Sequence, residues 1–260
     1  MERFYKKSLC ENAPEFLYHY TSLGKLALIL QSKKIRFSEL AALNDLDEQK
    51  VRFSEQDTGL TKAYVSCWTE EEQESIPMWK MYTDLTSGIR ICLPKKPFED
   101  SFSFVSLKDG SLQITSLSEV KRVEIVGNLQ EANADFLTIN NSLTRIEYSD
   151  DISTRDIIAS EARCDFRIKF PLALGRLKRT AWEFEKEWRY IAILMTDGKN
   201  RAIPSYCDFG LREDVFKSIK ILKSPMFSKE NEVLLESLIE KFQIDPKQIK
   251  QSTLTGSVKL

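Results

Sequence analysis

The stretch WEFEKEWRY, residues 182–190, crowds three glutamates, a lysine and an arginine among two tryptophans and a tyrosine. As a solvated helix it would pair Glu185 with Arg189 at i,i+4. As a strand it would set Glu185, Glu187 and Arg189 on one face and Trp188 and Tyr190 on the other. The continuation Tyr190–Ile191–Ala192–Ile193–Leu194 favours the strand, because aromatic and β-branched side chains suit a pleated surface. Two carboxylates side by side then repel and raise each other's pKa, an arrangement of little structural use that recurs in reaction centres. A second stretch, LYHYTS at 17–22, holds His19, the only histidine among 260 residues. A third, PMWKMYTD at 77–84, places Trp79 and Tyr82 three apart, on one face if the segment is helical. Each has a plainer role beside the chemical one. His19 can bond a backbone carbonyl in a core, and Trp79 and Tyr82 can be core aromatics. Asn44–Asp45 reads most simply as a turn.

The rest of the composition narrows the chemistry. One histidine excludes H-E-x-x-H zinc sites and multi-histidine cages, so no metal is expected. No G-x-x-x-x-G-K-[ST], G-x-G-x-x-G or G-x-S-x-G motif occurs, and there are only nine glycines. With 38 basic and 39 acidic side chains the chain has no global basic footprint for nucleic acid. Five widely spaced cysteines, none in a C-x-x-C pair, read as reduced thiols and a cytoplasmic setting. No apolar run of about 18 residues suggests a membrane span.

The elements that must carry these residues follow from pattern. FLYHYTS reads as a strand, followed by a helix with Leu23, Leu26, Ala27 and Leu30 on one face, capped by Thr21 or Ser22. KIRFSEL, KAYVSCWT, SGIRICLP, EKEWRYIAIL and IKILKS read as strands. KRVEIVG and TRIEYSD are further strand candidates around a helix GNLQEANADFLTI. DISTRDIIASEARCDFRIKF reads as a helix ended by Pro171, and NEVLLESLIEKF as a well-patterned helix. QSTLTGSVKL reads as an edge strand. No repeat or linker interrupts residues 1–260, so the expectation is a single α+β domain.

The order Y-H-Y-T-S, L-x-x-I-L, I-R-F-S, N-D, M-W-x-x-Y and W-x-x-E-x-E-W-R resembles a bacterial family described only as a domain of unknown function. Its opening also resembles the first motif of the ADP-ribosyltransferase superfamily, a strand delivering His-Tyr-Thr before a helix; Tyr82 and Glu187 follow in the order that superfamily requires. The resemblance implies an α+β fold of two packed mixed or antiparallel sheets around a central cleft with flanking helices. It implies NAD as co-substrate and cleavage of the bond between nicotinamide and ribose. Glu187 would be the catalytic carboxylate, stabilising positive charge that develops on the sugar, with Glu185 positioning the acceptor. His19, helped by Tyr20 and Thr21, would hold the adenosine ribose. Tyr82 would stack on nicotinamide, and Arg36 would meet a phosphate. His19 and Glu187 would then converge on one cleft.

The acceptor is less visible. Arg167, Lys169, Arg176, Lys178 and Arg179 form a local basic patch just before Glu187, which would suit nucleic-acid phosphates or serve as a solvated helix face. By analogy with the superfamily, the expected partner is a nucleic acid or protein acceptor, with a neutralising antitoxin protein and a role as an intracellular toxin or phage-defence effector. The alternative is a non-catalytic module that uses the cleft to bind a nucleotide or partner.

Overall fold

The computed structural model describes residues 13–45, 61–98, 103–108, 111–116, 136–138, 142–150, 175–195 and 205–257. It is a mixed α+β structure built on a nine-stranded sheet with helices packed against it. Strand β1 (Phe16–Ser22) leads into helix α1 (Leu23–Ser32), which returns as β2 (Lys34–Glu39). Helix α1 starts where Ser22 accepts a hydrogen bond from the Lys25 amide and ends at Lys33, which turns left-handed at φ 54°. Its buried Leu23, Leu26 and Leu30 recur at helical spacing and face the sheet.

Next come β3 (Thr61–Thr69), α2 (Ile76–Tyr82) and β4 (Gly88–Pro94). Strand β4 is buried on both faces, as its position between β1 and β13 (Lys220–Lys223) demands. A hairpin of β5 (Ser103–Lys108) and β6 (Ser111–Ser116) with β7 (Phe136–Thr138) forms a separate three-stranded sheet. Strands β8 (Ser142–Arg145) and β9 (Glu147–Tyr148) follow. Strand β10 (Leu177–Lys178) pairs in parallel with β9, and a 3₁₀ turn (Thr180–Glu185) feeds β11 (Glu187–Met195). The chain continues through β12 (Tyr206–Gly210), α3 (Glu213–Lys217), β13, α4 (Lys229–Phe242) and β14 (Ile249–Lys250).

Most expected elements are present. The exceptions have local reasons. Residues 136–138, expected at the end of a helix, are a strand paired with β5. The segment from Gln251 to Ser257 is a run of turns instead of an edge strand, and the ladder stops at Lys250. The β12 strand, unread in the sequence, pairs along β2. KRVEIVG and the helix expected over 151–170 lie outside the described residues.

Sheet topology sets the geometry that matters most. One edge of β3 runs alongside β11 over nine residue pairs, Glu187 opposite Thr69 through Met195 opposite Thr61. The other edge is shared. β1 pairs with it at Tyr18 opposite Thr69, and β2 at Ser38 opposite Val65 and Glu39 opposite Tyr64. Between these two partners β3 has a fork at residues 66–68. His19 fills it: Nδ1 lies 2.8 Å from the Cys67 carbonyl oxygen, and its ring packs 5.2 Å from that of Trp68. A carbonyl only accepts, so Nδ1 carries the proton. Burial holds the imidazole below its usual range, which keeps it neutral.

His19 is therefore the plug of a strand fork. His19→Ala should lower unfolding stability by about 2–4 kcal/mol, through the lost ring contact and an unpaired Cys67 carbonyl. The denaturation midpoint should fall at unchanged m-value in chemical unfolding of purified protein.

Candidate functional site

Opposite residues of an antiparallel ladder share a face. Tyr18 opposes Thr69, and Thr69 opposes Glu187, so Tyr18, Thr69 and Glu187 project from one side of the sheet. His19 projects from the other side, with Leu17, Trp68, Trp188 and Tyr190 in the main core. The expected convergence of His19 and Glu187 side chains on one cleft is thus not met; strand alternation and the Tyr18–Thr69 register separate them.

On the Glu187 face the sequence-picked acids do come together, with partners that the sequence had not assigned. Glu187 is 4% exposed and grips Arg189 in a two-pronged pair, Oε1 to Nε at 2.7 Å and Oε2 to Nη2 at 2.9 Å. Arg189 is fully buried and also donates to the Gly175 carbonyl at 3.0 Å. Glu185 is 2% exposed and accepts from the Tyr82 hydroxyl. Lys178 bridges the acids: its Nζ lies 2.5 Å from Glu185 Oε2 and 3.2 Å from Glu187 Oε2, and 4.6 Å from the Trp182 ring centre. The Tyr148 hydroxyl accepts from the Glu187 amide at 2.8 Å, and the Cys67 thiol bonds the Glu187 carboxylate.

The local backbone explains how two acids separated by one residue share a cation. Glu185 does not sit on the strand, as a simple period-two reading has it; it ends the 3₁₀ turn. Lys186 then turns left-handed at φ 44°, and Glu187 opens β11. The lysine at the turn points outward and pairs with Glu71. Gly175, at φ 72°, makes the corresponding bend on the approach to β10; only glycine adopts this freely. The β9–β10 pairing then delivers Lys178 beneath both carboxylates.

The two carboxylates are electrostatically unlike. Burial pushes both up, but Arg189 and Lys178 outweigh it at Glu187 and hold its pKa at about 2. At Glu185 burial and the Glu187 charge win over Lys178, and its pKa is raised. Lys178 lies nearer Glu185, yet Glu187 has the guanidinium as well, so Glu187 keeps the charge. Burial lowers Lys178 less than the two acids raise it, so the ammonium stays protonated. Burial, followed by the Glu185 charge, raises the Tyr82 phenol and keeps it a donor.

The remaining candidates lie elsewhere. Arg36 is exposed on β2, paired with Asp208 at 2.9 and 3.1 Å and stacked 3.4 Å over Tyr206. Tyr20 sits edge-on to Trp79 at 4.8 Å, and its hydroxyl accepts from the Ser75 amide. Thr21 is buried with no partner for its hydroxyl among the described residues. The basic patch is divided: Lys178 is sealed into the acid cluster, Arg179 is exposed, and Arg167 and Lys169 lie outside the described residues. Lys178 and Arg189 were legible only as charge. Their role comes from the β9–β10 pairing and the turn at Lys186, which carry no short-range sequence signal. No group of metal-ligating side chains occurs among the described residues, and none of their helices is long and apolar enough to cross a membrane.

A family profile described as a protein of unknown function (DUF2971) matches residues 78–190, which include the M-W-x-x-Y and W-x-x-E-x-E-W-R stretches. The resemblance read from the sequence is borne out to that extent. No curated protein matches the chain. Among solved structures, Thermus sp. 2.9 DarT in complex with NAD+ matches with 10% identity over 93% of this chain and 97% of that one, at a TM-score of 0.30. That overlap is too loose to carry any residue across.

Two consequences of the cluster are measurable. Lys178→Met should cost about 3–5 kcal/mol, because it leaves Glu185 facing Glu187 without their shared cation; differential scanning calorimetry at pH 7 reads the loss, which should shrink at pH 4 as Glu185 protonates. The depressed Glu187 contributes stability that is present above its unfolded value of 4.5 and is lost as pH falls toward about 2. Denaturant unfolding from pH 5 to pH 2 should show this component, up to about 3 kcal/mol, in the parent and not in Glu187→Gln.

Proposed function

We propose that the chain is an NAD-dependent ADP-ribosyltransferase whose reaction centre is the Glu185–Glu187 cluster. The observation that carries this reading is the pairing of two buried, adjacent carboxylates in opposed surroundings, joined by one lysine. Such a split assigns different tasks to two chemically identical groups. Glu187, held ionised by Arg189 and Lys178, supplies fixed negative charge where positive charge develops as a glycosidic bond to ribose breaks. Glu185, with its raised pKa, is the better group to take a proton from an incoming acceptor near neutral pH. Tyr82, Tyr148 and Trp182 are half-buried members of this neighbourhood, and their rings offer π faces to a cationic nicotinamide. In this reading His19 fixes β3, and with it Cys67 and Glu187; it does not hold the ribose beside them.

A second reading is favoured by a specific observation. Glu187 is already neutralised by a two-pronged arginine and a lysine, as in a structural ion-pair network. On that basis the chain would be a binding module that keeps the cluster for its fold.

Incubation with labelled NAD and a cell extract separates the two. The enzyme should label a macromolecule, and nuclease or protease digestion should show whether the acceptor is nucleic acid or protein. Glu187→Gln should lower labelling by about 10²–10³-fold while the protein remains folded by circular dichroism. Expression in a bacterium without a neutralising partner should arrest growth, and the same substitution should relieve it. Labelling and growth arrest that persist at parental level in the glutamine variant would remove Glu187 from the chemistry.

A further inference from the structure

Tyr82 reaches Glu185 from the last turn of α2, so whatever fixes that helix sets the hydrogen bond. Four donors converge on one carboxylate at the other end of the helix. Glu74 Oε2 accepts from Trp79 Nε1 at 3.0 Å and from the Ser252 hydroxyl at 2.6 Å; Oε1 accepts from the Thr253 amide at 2.7 Å and the Thr253 hydroxyl at 2.8 Å. The start of α2 and the turn run from Gln251 to Ser257, far apart in sequence, are thus joined at one side chain. Leu254, next along the run, packs into the apolar cluster of Tyr20, Met78, Trp79, Tyr82, Leu85 and Leu222. The Ser224 hydroxyl, just after β13, donates to the Leu85 carbonyl beside the same cluster.

We infer that Glu74 is a positioning residue for Tyr82, and that the 251–257 segment is a strap by which it holds α2 against the carboxylate cluster. The inference rests on the site proposed above, and three features support it. The donors saturate Glu74: each oxygen takes two hydrogen bonds, the arrangement that makes a carboxylate a rigid junction. The bonds also offset the burial of Glu74 and leave its pKa below the usual range, so the junction is charged at neutral pH. The strap's apolar residue also packs in the same cluster as the tyrosine ring, so loosening it frees the ring that carries the hydroxyl.

The Tyr82 bond lowers the Glu185 pKa, whereas burial and Glu187 raise it, and Lys178 is the other group facing it. A released Tyr82 should therefore move the Glu185 titration upward. The test is a double-mutant cycle read by carbon NMR of side-chain-labelled glutamate. Glu74→Gln and the milder Thr253→Val should each raise the Glu185 midpoint, the former by about half a pH unit or more, and Tyr82→Phe should do the same. Combined with Tyr82→Phe, Glu74→Gln should add nothing, because its effect passes through the missing hydroxyl. In the labelling assay Glu74→Gln should lower kcat about tenfold with little change in KM.

Equal shifts with and without the Tyr82 hydroxyl would overturn the inference, as would an unmoved Glu185 in Thr253→Val and Glu74→Gln proteins that only melt earlier. The NMR cycle is independent of turnover. If it succeeds in a chain that never labels anything, the strap stands and the proposed enzymatic reading fails.

Discussion

Everything on the β11 face turns on one ammonium group. Two carboxylates a residue apart cannot both be buried as ions without a cation between them, because each bears the desolvation of a charge and the repulsion of its neighbour. Lys178 answers both demands, and its position depends on the bonds around it: the Gly175 bend, its own β10 pairing opposite Tyr148 on β9, and the Tyr148 hydroxyl beneath the Glu187 amide. The arrangement is costly as a way of stabilising a fold, since an apolar cluster of the same volume would serve as well or better. It is a sensible way to keep two acids in different states within one site.

The asymmetry between those acids comes from how the cations are distributed. Arg189 lies on the same face of β11 as Glu187, two residues on, and spends its fork on that one carboxylate. Glu185 is left with half a lysine and a phenol. The turn at Lys186 is what lets this happen, since a regular strand would have aligned both acids with the guanidinium. The 3₁₀ turn moves Glu185 off the ladder and toward α2, where Tyr82 waits.

Much of this was legible in the sequence, and the reasons for the remainder are physical. The aromatic and β-branched run after Glu187 and the one-faced helix with Leu23, Leu26 and Leu30 were readable because local pattern and tertiary burial agree there; β4 was readable as a strand, but its alternation hid that both faces, Arg90 included, are buried. Motif order singled out Tyr82 and Glu187 but no bond between Tyr82 and either acid; in the structure the Tyr82 hydroxyl donates to Glu185. The side of the sheet to which His19 points was not readable. It depends on the register of a single pair, Tyr18 with Thr69, and a shift of one residue would have reversed it. Lys178 was read as part of a surface patch because a run of arginines and lysines looks solvated until long-range pairing buries one of them. Arg36 looked free for the same reason, until β12 brought Asp208 alongside.

The shared edge of β3 has a mechanical meaning as well. In the described sheet, β2 with β12 forms one wing, and β1 with β4, β13 and β14 forms the other; each is laddered to β3, and not to the other. The wings are also tied by α1, which leaves β1 and enters β2, and by the Phe98–Leu211 bridge. Along that edge β1 pairs at Thr69 and β2 at Val65 and Tyr64, an imidazole meets the Cys67 carbonyl between them, and β11 holds residues 66–68 on the other edge. Cys67 thus meets His19 through its carbonyl and Glu187 through its thiol, so one residue joins the core imidazole to the charge cluster. A change at His19 would therefore reach the charge cluster as a displacement of Cys67.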